Sequence, residues 1–249
     1  MKALDFLSAA VFLGLGAAFA QAADKNEEKK MGYFLYANAV GEKGWSFLVL
    51  DGEDINPKGM ESGYRSSWVS FASGEHELQF EHQPLGLVDT KVKLQPAGLH
   101  AFITYSDFKT QDERGRPPRP ILAVKELRCD LVIPKGERRG SRLVVVNLTP
   151  APVLRVRSGE EVTEVPRSQE TVIGVSRMGG VVEIGVLPSA GLPEATTAPR
   201  SEGVDPVRVD DSVFDQSLNF EDAGNRFVVF YVGVQNVLQS LVFDDIGME

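Results

Sequence analysis

Cysteine is almost absent from this sequence of 249 residues, which contains only Cys129. A single cysteine cannot form an intramolecular disulfide, the cross-link on which small extracellular domains of animals usually depend. We therefore expect a bacterial protein of the cell envelope whose core is large enough to be stable without such bonds. Cys129 lies in segment 127–131, which alternates like a strand, so we expect a packed and unreactive thiol.

Positive charge is also scarce, because 26 lysine and arginine residues face 35 aspartate and glutamate residues. The resulting net charge of -9 repels the phosphate backbone of nucleic acids, so we expect no nucleic-acid partner. Acidity of this size is an ordinary means of keeping a globular chain soluble.

Long apolar runs are missing everywhere except at the N-terminus. Lys2 precedes an apolar run over residues 6–20, and Ala20-Gln21-Ala22 gives the small-x-small pattern that signal peptidase requires. The run is about 15 residues long, too short to cross the ~30 Å hydrocarbon layer of a bilayer comfortably. We expect residues 1–22 to be a cleaved signal peptide. The mature chain would then be exported to the periplasm or the cell exterior, with no stable membrane insertion.

Catalytic and cofactor-binding motifs are absent as well. Of three histidines, His76 begins an HExxH-like sequence, but Phe80 stands where the second histidine belongs. His76 and His82 are too far apart along one strand to share a metal ion, whereas His76 and His100 begin strands that could be neighbours. No Gly-x-Ser-x-Gly motif or phosphate-binding loop occurs after the leader. We therefore expect no catalytic residue, no cofactor and no metal site.

Acidic side chains cluster late in the chain, yet their spacing fits no calcium-binding EF-hand loop. We interpret the cluster as a solvated loop, with weak calcium binding as the alternative. A carboxylate pair for glycoside hydrolysis stays open, because that chemistry depends on separation in space. The members are Glu202, Asp205, Asp210, Asp211, Asp215, Glu221 and Asp222.

Short runs of β-branched and aromatic residues, separated by glycine, proline and aspartate, dominate the rest of the chain. Runs of this length and spacing are typical of an all-β sandwich or barrel. Helical periodicity over several turns is found only in the leader. The predicted strands are 33–37, 46–50, 68–71, 77–81, 91–94, 101–105, 121–124, 142–146, 153–156, 171–175, 181–186, 227–232 and 238–243.

The two halves of the chain share one pattern. Residues 33–52 match 142–159, since each segment has an apolar strand, an asparagine (Asn38 or Asn147), a second strand and a final glycine. Four matches in the same order indicate a tandem duplication. The other three pair 70–81 with 174–186, 92–105 with 217–231, and 121–127 with 238–245. Glycines that suit hairpin turns precede strands at Gly74, Gly98, Gly180 and Gly224.

Each half is about 100 residues long, the usual size of an immunoglobulin-like sandwich. We expect two tandem β-sandwich domains, immunoglobulin-like or transthyretin-like, over residues 32–134 and 141–249. A linker at 134–140 would join them. A proline-rich insertion at 110–120 should be extended and exposed, and an insertion at 188–215 should be a long flexible loop.

Two sets of side chains are candidates for binding. Trp45 and Trp68 belong to an aromatic-rich first half with Tyr33, Tyr36 and Tyr64. Core packing is the default role of tryptophan in a sandwich, but an exposed ring would stack on sugar rings. A basic run is either a contact patch for an acidic partner or polysaccharide, or simply solvated. Its members are Arg114, Arg116, Arg119, Arg138, Arg139 and Arg142.

The chain follows the order of an apolar strand, an asparagine, a proline-rich turn, a second apolar strand and a glycine, with Ala-Gly before a later strand, and the best-matching segments are VVVNLTPAP at 144–152 and LVLDG at 48–52. This order resembles a bacterial extracellular domain of unknown function that often occurs in tandem on exported proteins. The resemblance covers nearly all of residues 32–249, although the second copy departs from it by its long insertion. It implies a β-sandwich-like fold and an envelope or surface role without enzymatic activity.

We therefore expect a non-catalytic binding or structural module of the bacterial envelope. Its partner would be an envelope protein or a polysaccharide. Two alternatives stay open: an accessory protein that binds polysaccharide through Trp45 or Trp68, and a hydrolase with a dispersed carboxylate site.

Overall fold

The computed structural model describes residues 31–109, 119–132, 142–174, 181–192, 212–219 and 225–245. The predicted signal peptide, the linker 134–140 and most of both insertions lie outside these residues. The strands of the first half are β1 Met31–Ala39, β2 Ser46–Leu50, β3 Glu53–Asp54, β4 Val69–Ala72, β5 Gly74–His82, β6 Gly86–Leu94, β7 Leu99–Lys109 and β8 Arg119–Arg128. Those of the second half are β9 Arg142–Asn147, β10 Val153–Ser158, β11 Glu161–Pro166, β12 Glu170–Gly174, β13 Val181–Leu187, β14 Phe214–Asn219, β15 Arg226–Gly233 and β16 Val237–Asp244.

The prediction of an all-β chain is confirmed, and each predicted run overlaps a strand. Two details differ from expectation. Strand β8 ends at Arg128, and Cys129–Val132 forms a single helical turn, α1, where a strand was predicted. Strand β14 begins at Phe214, inside the insertion predicted to be flexible to 215, because the Val213 amide already donates to the Val186 carbonyl at 2.8 Å.

The strands form four sheets with one shared topology. Inner sheet 1 has the order β4-β1-β7-β8 and outer sheet 1 the order β3-β2-β5-β6. Inner sheet 2 repeats the first order as β12-β9-β15-β16, and outer sheet 2 repeats the second as β11-β10-β13-β14. The pairs β1·β7 and β9·β15 are parallel, whereas the other pairs are antiparallel. The four sheets are compatible with two β-sandwich-like units of the same strand order.

The two asparagines of the repeated sequence pattern occupy the same structural position. Each is fully buried at the end of its strand, Asn38 on β1 and Asn147 on β9. The Asn38 Oδ1 atom accepts the Val40 amide at 3.0 Å, and the Asn147 Oδ1 atom accepts the Thr149 amide at 3.0 Å. Such asparagine turns satisfy backbone groups where a ladder stops.

The remaining bonds of these asparagines also correspond. The Nδ2 atom donates to the Met60 carbonyl at 2.8 Å in the first half, and to the Val165 carbonyl at 3.0 Å in the second. The backbone carbonyl of Asn38 accepts the Gly63 amide at 2.8 Å, while that of Asn147 accepts the Ser168 amide at 2.7 Å. The same hydrogen bonds at matched positions support the duplication read from the sequence.

Each half encloses a core between its own two sheets. In the first half, Phe34, Tyr36 and Phe102 of inner sheet 1 pack against Leu48 and Phe80 of outer sheet 1. In the second half, side chains of the corresponding strands of inner sheet 2, including Val145 of β9 and Phe230 of β15, pack against outer sheet 2. In outer sheet 1, strands β2 and β5 alternate more buried and more exposed positions.

A third core, the central core, lies between the two inner sheets. Leu35, Ala37 and Ile103 of inner sheet 1 meet Val144 and Val229 of inner sheet 2, all fully buried. Alternate residues of β1 therefore face different cores, and the same holds for β7, β9 and β15. The molecule thus has four stacked layers, in the order outer sheet 1, inner sheet 1, inner sheet 2, outer sheet 2.

Polar contacts close both margins of the central core. Before β4, the Trp68 Nε1 atom donates to the Asp244 carbonyl at 2.9 Å and the Arg65 Nε atom to the Val242 carbonyl at 3.0 Å, which covers the edge strand β16. At the other margin, Lys125 of β8 bonds the Ser168 carbonyl and, at 2.7 Å, the Glu170 carboxylate at the start of β12. The β4 side of the first half thus meets β16 of the second half, and β8 of the first half meets the start of β12. Because β4 corresponds to β12 and β8 to β16, an approximate two-fold axis between the halves produces this pair of contacts.

We predict that Asn38→Ala and Asn147→Ala each lower the free energy of unfolding by about 2 to 4 kcal/mol, because each leaves several buried backbone groups without partners. Denaturant unfolding followed by circular dichroism measures the effect. The control Val162→Ala, at an exposed site, should change it by no more than about 0.5 kcal/mol. A loss at only one of the two asparagines would contradict their equivalence.

Candidate functional site

A cleft of about 180 Å³ opens at one end of the central core, where the carboxyl ends of the parallel strands from both halves converge. The first half contributes the end of β1, the following segment and the end of β7. The second half contributes the segment after β9 and the β15–β16 hairpin. The lining residues are Ala39, Gly41, Glu42, Ser106, Leu148, Pro150, Tyr231, Val232, Gly233 and Asn236.

The polar part of the cleft is organised around Ser106. Its Oγ atom accepts the Gly41 amide at 2.9 Å, and its hydroxyl donates to the Glu42 carboxylate. Gly41 itself lies directly against the Val232 carbonyl oxygen, so a methyl group at this position would overlap it. Residue 41, two positions after the end of β1, must therefore be glycine for the two halves to approach each other here.

The second half lines the cleft with Tyr231 and the residues of the β15–β16 hairpin. In the β15–β16 turn, Gln235 and Asn236 both have positive φ, at 80° and 59°, a conformation sparsely populated by residues other than glycine. On the floor, burial raises the pKa of Tyr231, and the hydrogen bond with Ser62 only partly offsets it. The phenol is therefore neutral at physiological pH and contributes a polar but uncharged group.

His76 joins the β2–β3 turn of outer sheet 1 to the end of β4, an edge strand of inner sheet 1. Its Nδ1 atom lies 2.7 Å from the Asp51 carboxylate and its Nε2 atom 2.8 Å from the Ala72 carbonyl, so both ring nitrogens face acceptors. Burial opposes the charged form of the ring, but these two hydrogen bonds outweigh it and raise the pKa of His76. The pKa of Asp51 is lowered, first by the Glu77 amide and then by His76.

The other two histidines are buried. The His100 Nδ1 atom lies 2.8 Å from the Glu126 carboxylate, and its ring stacks on Phe102. His82 is fully buried, and neither of its ring nitrogens has a hydrogen-bond partner among the described residues. Burial lowers the pKa of His82, and the field of Glu42 opposes that shift in part. His82 is therefore neutral near pH 7.

The structure separates His76 and His100, which the sequence had left as possible neighbours. His76 lies on β5 of outer sheet 1, whereas His100 lies on β7 of inner sheet 1. Within the described ranges, no group of three or more histidine, cysteine, aspartate or glutamate side chains is placed to hold a metal ion. Of the acidic cluster, only Asp215 belongs to the described residues, and it is exposed on β14.

Cys129 is packed in the central core, as the sequence predicted, although on a helical turn instead of a strand. Burial raises its pKa well above the usual value, and the carboxylates of Asp245 and Asp130 act in the same direction. The thiol form is therefore strongly favoured, and a buried thiol of this kind is a poor nucleophile.

The two tryptophans have different environments. Trp68 packs edge-on against Phe243 of the other half, with ring centroids 6.4 Å apart, and its indole nitrogen is hydrogen-bonded. Its role is to join the halves. Trp45, 44% exposed, lies before β2 and leaves much of its ring open to solvent. Of the basic run, only Arg119 and Arg142 are described, at the starts of β8 and β9.

Sequence reasoning did not find the cleft, although it found the strands that build it. Glu42, Ser106 and Asn236 are ordinary residues in turns or at strand ends. A usable signal was present in the runs FLYANA, LVVV and FVVFY, which do not alternate. Such runs are typical of strands buried on both faces, and in this chain the ends of those strands enclose the cleft.

No protein-family model matches the chain, and a search of curated proteins finds no match either. The resemblance to a tandem extracellular domain therefore stays a prediction. Among the described residues, no helix has the length and hydrophobicity needed to cross a membrane.

We predict that His76→Gln destabilises the chain more at about pH 5.5 than at about pH 8.5. The folded-state pKa of His76 is raised, so its contribution is fully present below the ordinary histidine pKa of 6.5 and is lost as pH rises through the folded-state value. Denaturant unfolding of the variant and the wild type at both pH values gives the difference. Asp51→Asn should reproduce this pH dependence, and a destabilisation independent of pH would contradict the assignment.

Proposed function

We propose that this protein is a non-catalytic module that is exported to the bacterial envelope and binds another component there. The observation that carries the proposal is that several chemically reactive side chains are buried and contribute to packing. His82, His100, Cys129, Tyr36 and Tyr231 are all buried in the layers of the fold and serve its packing. Among the described residues, Glu42 is the one carboxylate that lines the cleft, and its partner is the Ser106 hydroxyl.

This arrangement favours binding over hydrolysis. Glycoside hydrolases use two carboxyl groups roughly 5–10 Å apart on either side of the bond that breaks. In the part of the chain that the structure describes, the lining of the cleft offers one such group and no histidine. A small, partly apolar recess with a few polar groups suits recognition of a short side chain or a terminal group.

Within the sandwich class, the strand order favours the transthyretin-like alternative. Each half has the order 4-1-7-8 in one sheet and 3-2-5-6 in the other, counting its own strands. The immunoglobulin order places strands 1, 2, 5 and 4 in one sheet and 3, 6 and 7 in the other. We therefore propose two transthyretin-like units, one in each half of the chain.

Export rests on the leader sequence. Lys2, the apolar run 6–20 and the Ala20-Gln21-Ala22 pattern support cleavage after residue 22. The lone, buried cysteine is compatible with an oxidising compartment, because it neither forms nor needs a disulfide. The net charge of -9 supports a partner other than nucleic acid.

A polysaccharide is the second candidate partner, and the exposed ring of Trp45 is the observation that favours it. Aromatic rings stack on the apolar faces of sugars and lose little conformational freedom when they bind. Trp68 no longer supports this function, because its ring and indole nitrogen are engaged with the other half.

We predict that the mature chain, residues 23–249, retains a component of envelope extract reversibly and saturably, and leaves it chemically unchanged. If the component is a polysaccharide, Trp45→Ala should weaken binding about tenfold, a loss of about 1.4 kcal/mol. The matched control Tyr64→Ala removes an exposed aromatic of the same half and should bind as the wild type does. Affinity chromatography followed by mass spectrometry and titration calorimetry measures both.

Two outcomes would contradict the proposed function. One is the absence of any saturable retention of protein or glycan by a folded chain. The other is cleavage of a retained polysaccharide that is abolished by Glu42→Gln, which would establish the hydrolase alternative.

A further inference from the structure

Residues 40–45, named here the latch segment, lie between the Ser106 hydroxyl and the ring of His82. On the cleft side, Ser106 holds both the Gly41 amide and the Glu42 carboxylate. On the other side, the latch segment covers the buried ring of His82. The nearest ring atoms of His82 lie 3.0 Å from where a side chain on Gly44 would begin, so the segment passes directly over the imidazole.

His82 is enclosed by groups that cannot compensate a positive charge, apart from Glu42. Ser46 pairs with it across β2 and β5, and Ser46 is buried and uncharged. Tyr36 of β1 reaches Ser46 from inner sheet 1 and is itself neutral, since burial raises its pKa. Pro84 approaches the same part of the latch segment from the β5–β6 turn.

The charged neighbours along the chain point away from the ring. Glu81 alternates with His82 in β5 and is exposed on the opposite face of outer sheet 1, and Lys43 of the latch segment is exposed to solvent. Glu42 is the charged group whose field acts on the imidazole. An imidazolium in this position therefore has one carboxylate available to it.

We propose that His82, Glu42 and Ser106 form an acid-sensitive latch: when His82 binds a proton from solvent, the Glu42 carboxylate moves from the Ser106 hydroxyl to the imidazolium, and the cleft between the halves widens. The movement is transmitted by Gly41, which is bonded to Ser106 and lies against the Val232 carbonyl of the other half. This inference does not depend on the proposed function.

The pH range follows from the burial of the ring. The folded-state pKa of His82 lies below 6.5, so the latch is closed at neutral pH. It opens as pH falls through this folded-state pKa. Between the ordinary pKa of His82 in the unfolded chain and its lowered pKa in the folded chain, the unfolded chain binds more protons. The contribution of His82 therefore lowers the stability of the fold as pH falls.

Two-dimensional NMR of the chain between about pH 7.5 and pH 4.5 tests the latch. We expect the ring of His82 to titrate below pH 6.5 and the Gly41 amide to shift with the same midpoint, because its acceptor Ser106 loses Glu42. The Gly233 amide at the facing rim should follow, whereas the Ala72 amide near His76 should not share this midpoint. A His82 titration that leaves the Gly41 amide unchanged would overturn the proposal.

Two variants separate the latch from other causes of a pH-dependent shift of the Gly41 amide. In His82→Leu the Gly41 shift should disappear over this range, and its persistence with an unchanged midpoint would overturn the proposal. If His82→Leu does not fold, Glu42→Gln supplies the decision. In that variant His82 should still titrate, at a lower pH because the favourable field of the carboxylate is gone, and the Gly41 amide should no longer follow it. A Gly41 amide that still follows His82 in Glu42→Gln would overturn the proposal.

Discussion

The burial of both faces of the two inner sheets is the constraint on which the rest of this structure depends. It requires side chains such as Tyr36 and Ala37, neighbours in β1, to be apolar or satisfied on opposite sides of one strand. It also explains why the parallel pairs occur where they do, since parallel strands are stable chiefly when covered on both faces. The outer sheets, each with one face toward solvent, carry the alternating pattern instead.

The same constraint connects the fold to the proposed function. Two copies of one unit that meet through their inner sheets leave a recess where their strands end together, and neither copy forms that recess alone. Polar contacts that close the margins fix how the copies face each other. Trp68 donates to a carbonyl of β16, and Lys125 donates to a carbonyl of the turn before β12. The cleft is therefore a property of the assembled halves.

Much of the fold was predictable from local pattern, and its assembly was not. Strand positions and the duplicated asparagines follow from hydrophobic spacing and turn chemistry, which are local in sequence. Strands β3 and β11 escaped prediction because they are short or carry charged residues such as Glu161 and Glu164, which a sheet edge tolerates. The central core joins Leu35 to Val229, residues far apart in sequence, and the hydrogen bond between Glu42 and Ser106 exists only once β1 and β7 pair.

The most direct test of this account is whether the halves unfold together. Urea unfolding should give one transition by far-UV circular dichroism and by tryptophan fluorescence, which reports on Trp45 in the first half and on Trp68 at the junction. Val229→Ala, which opens a cavity in the central core, should move that single transition to lower urea by both probes. Two separate transitions, with Val229→Ala shifting only one of them, would contradict the central core as the element that unites the structure.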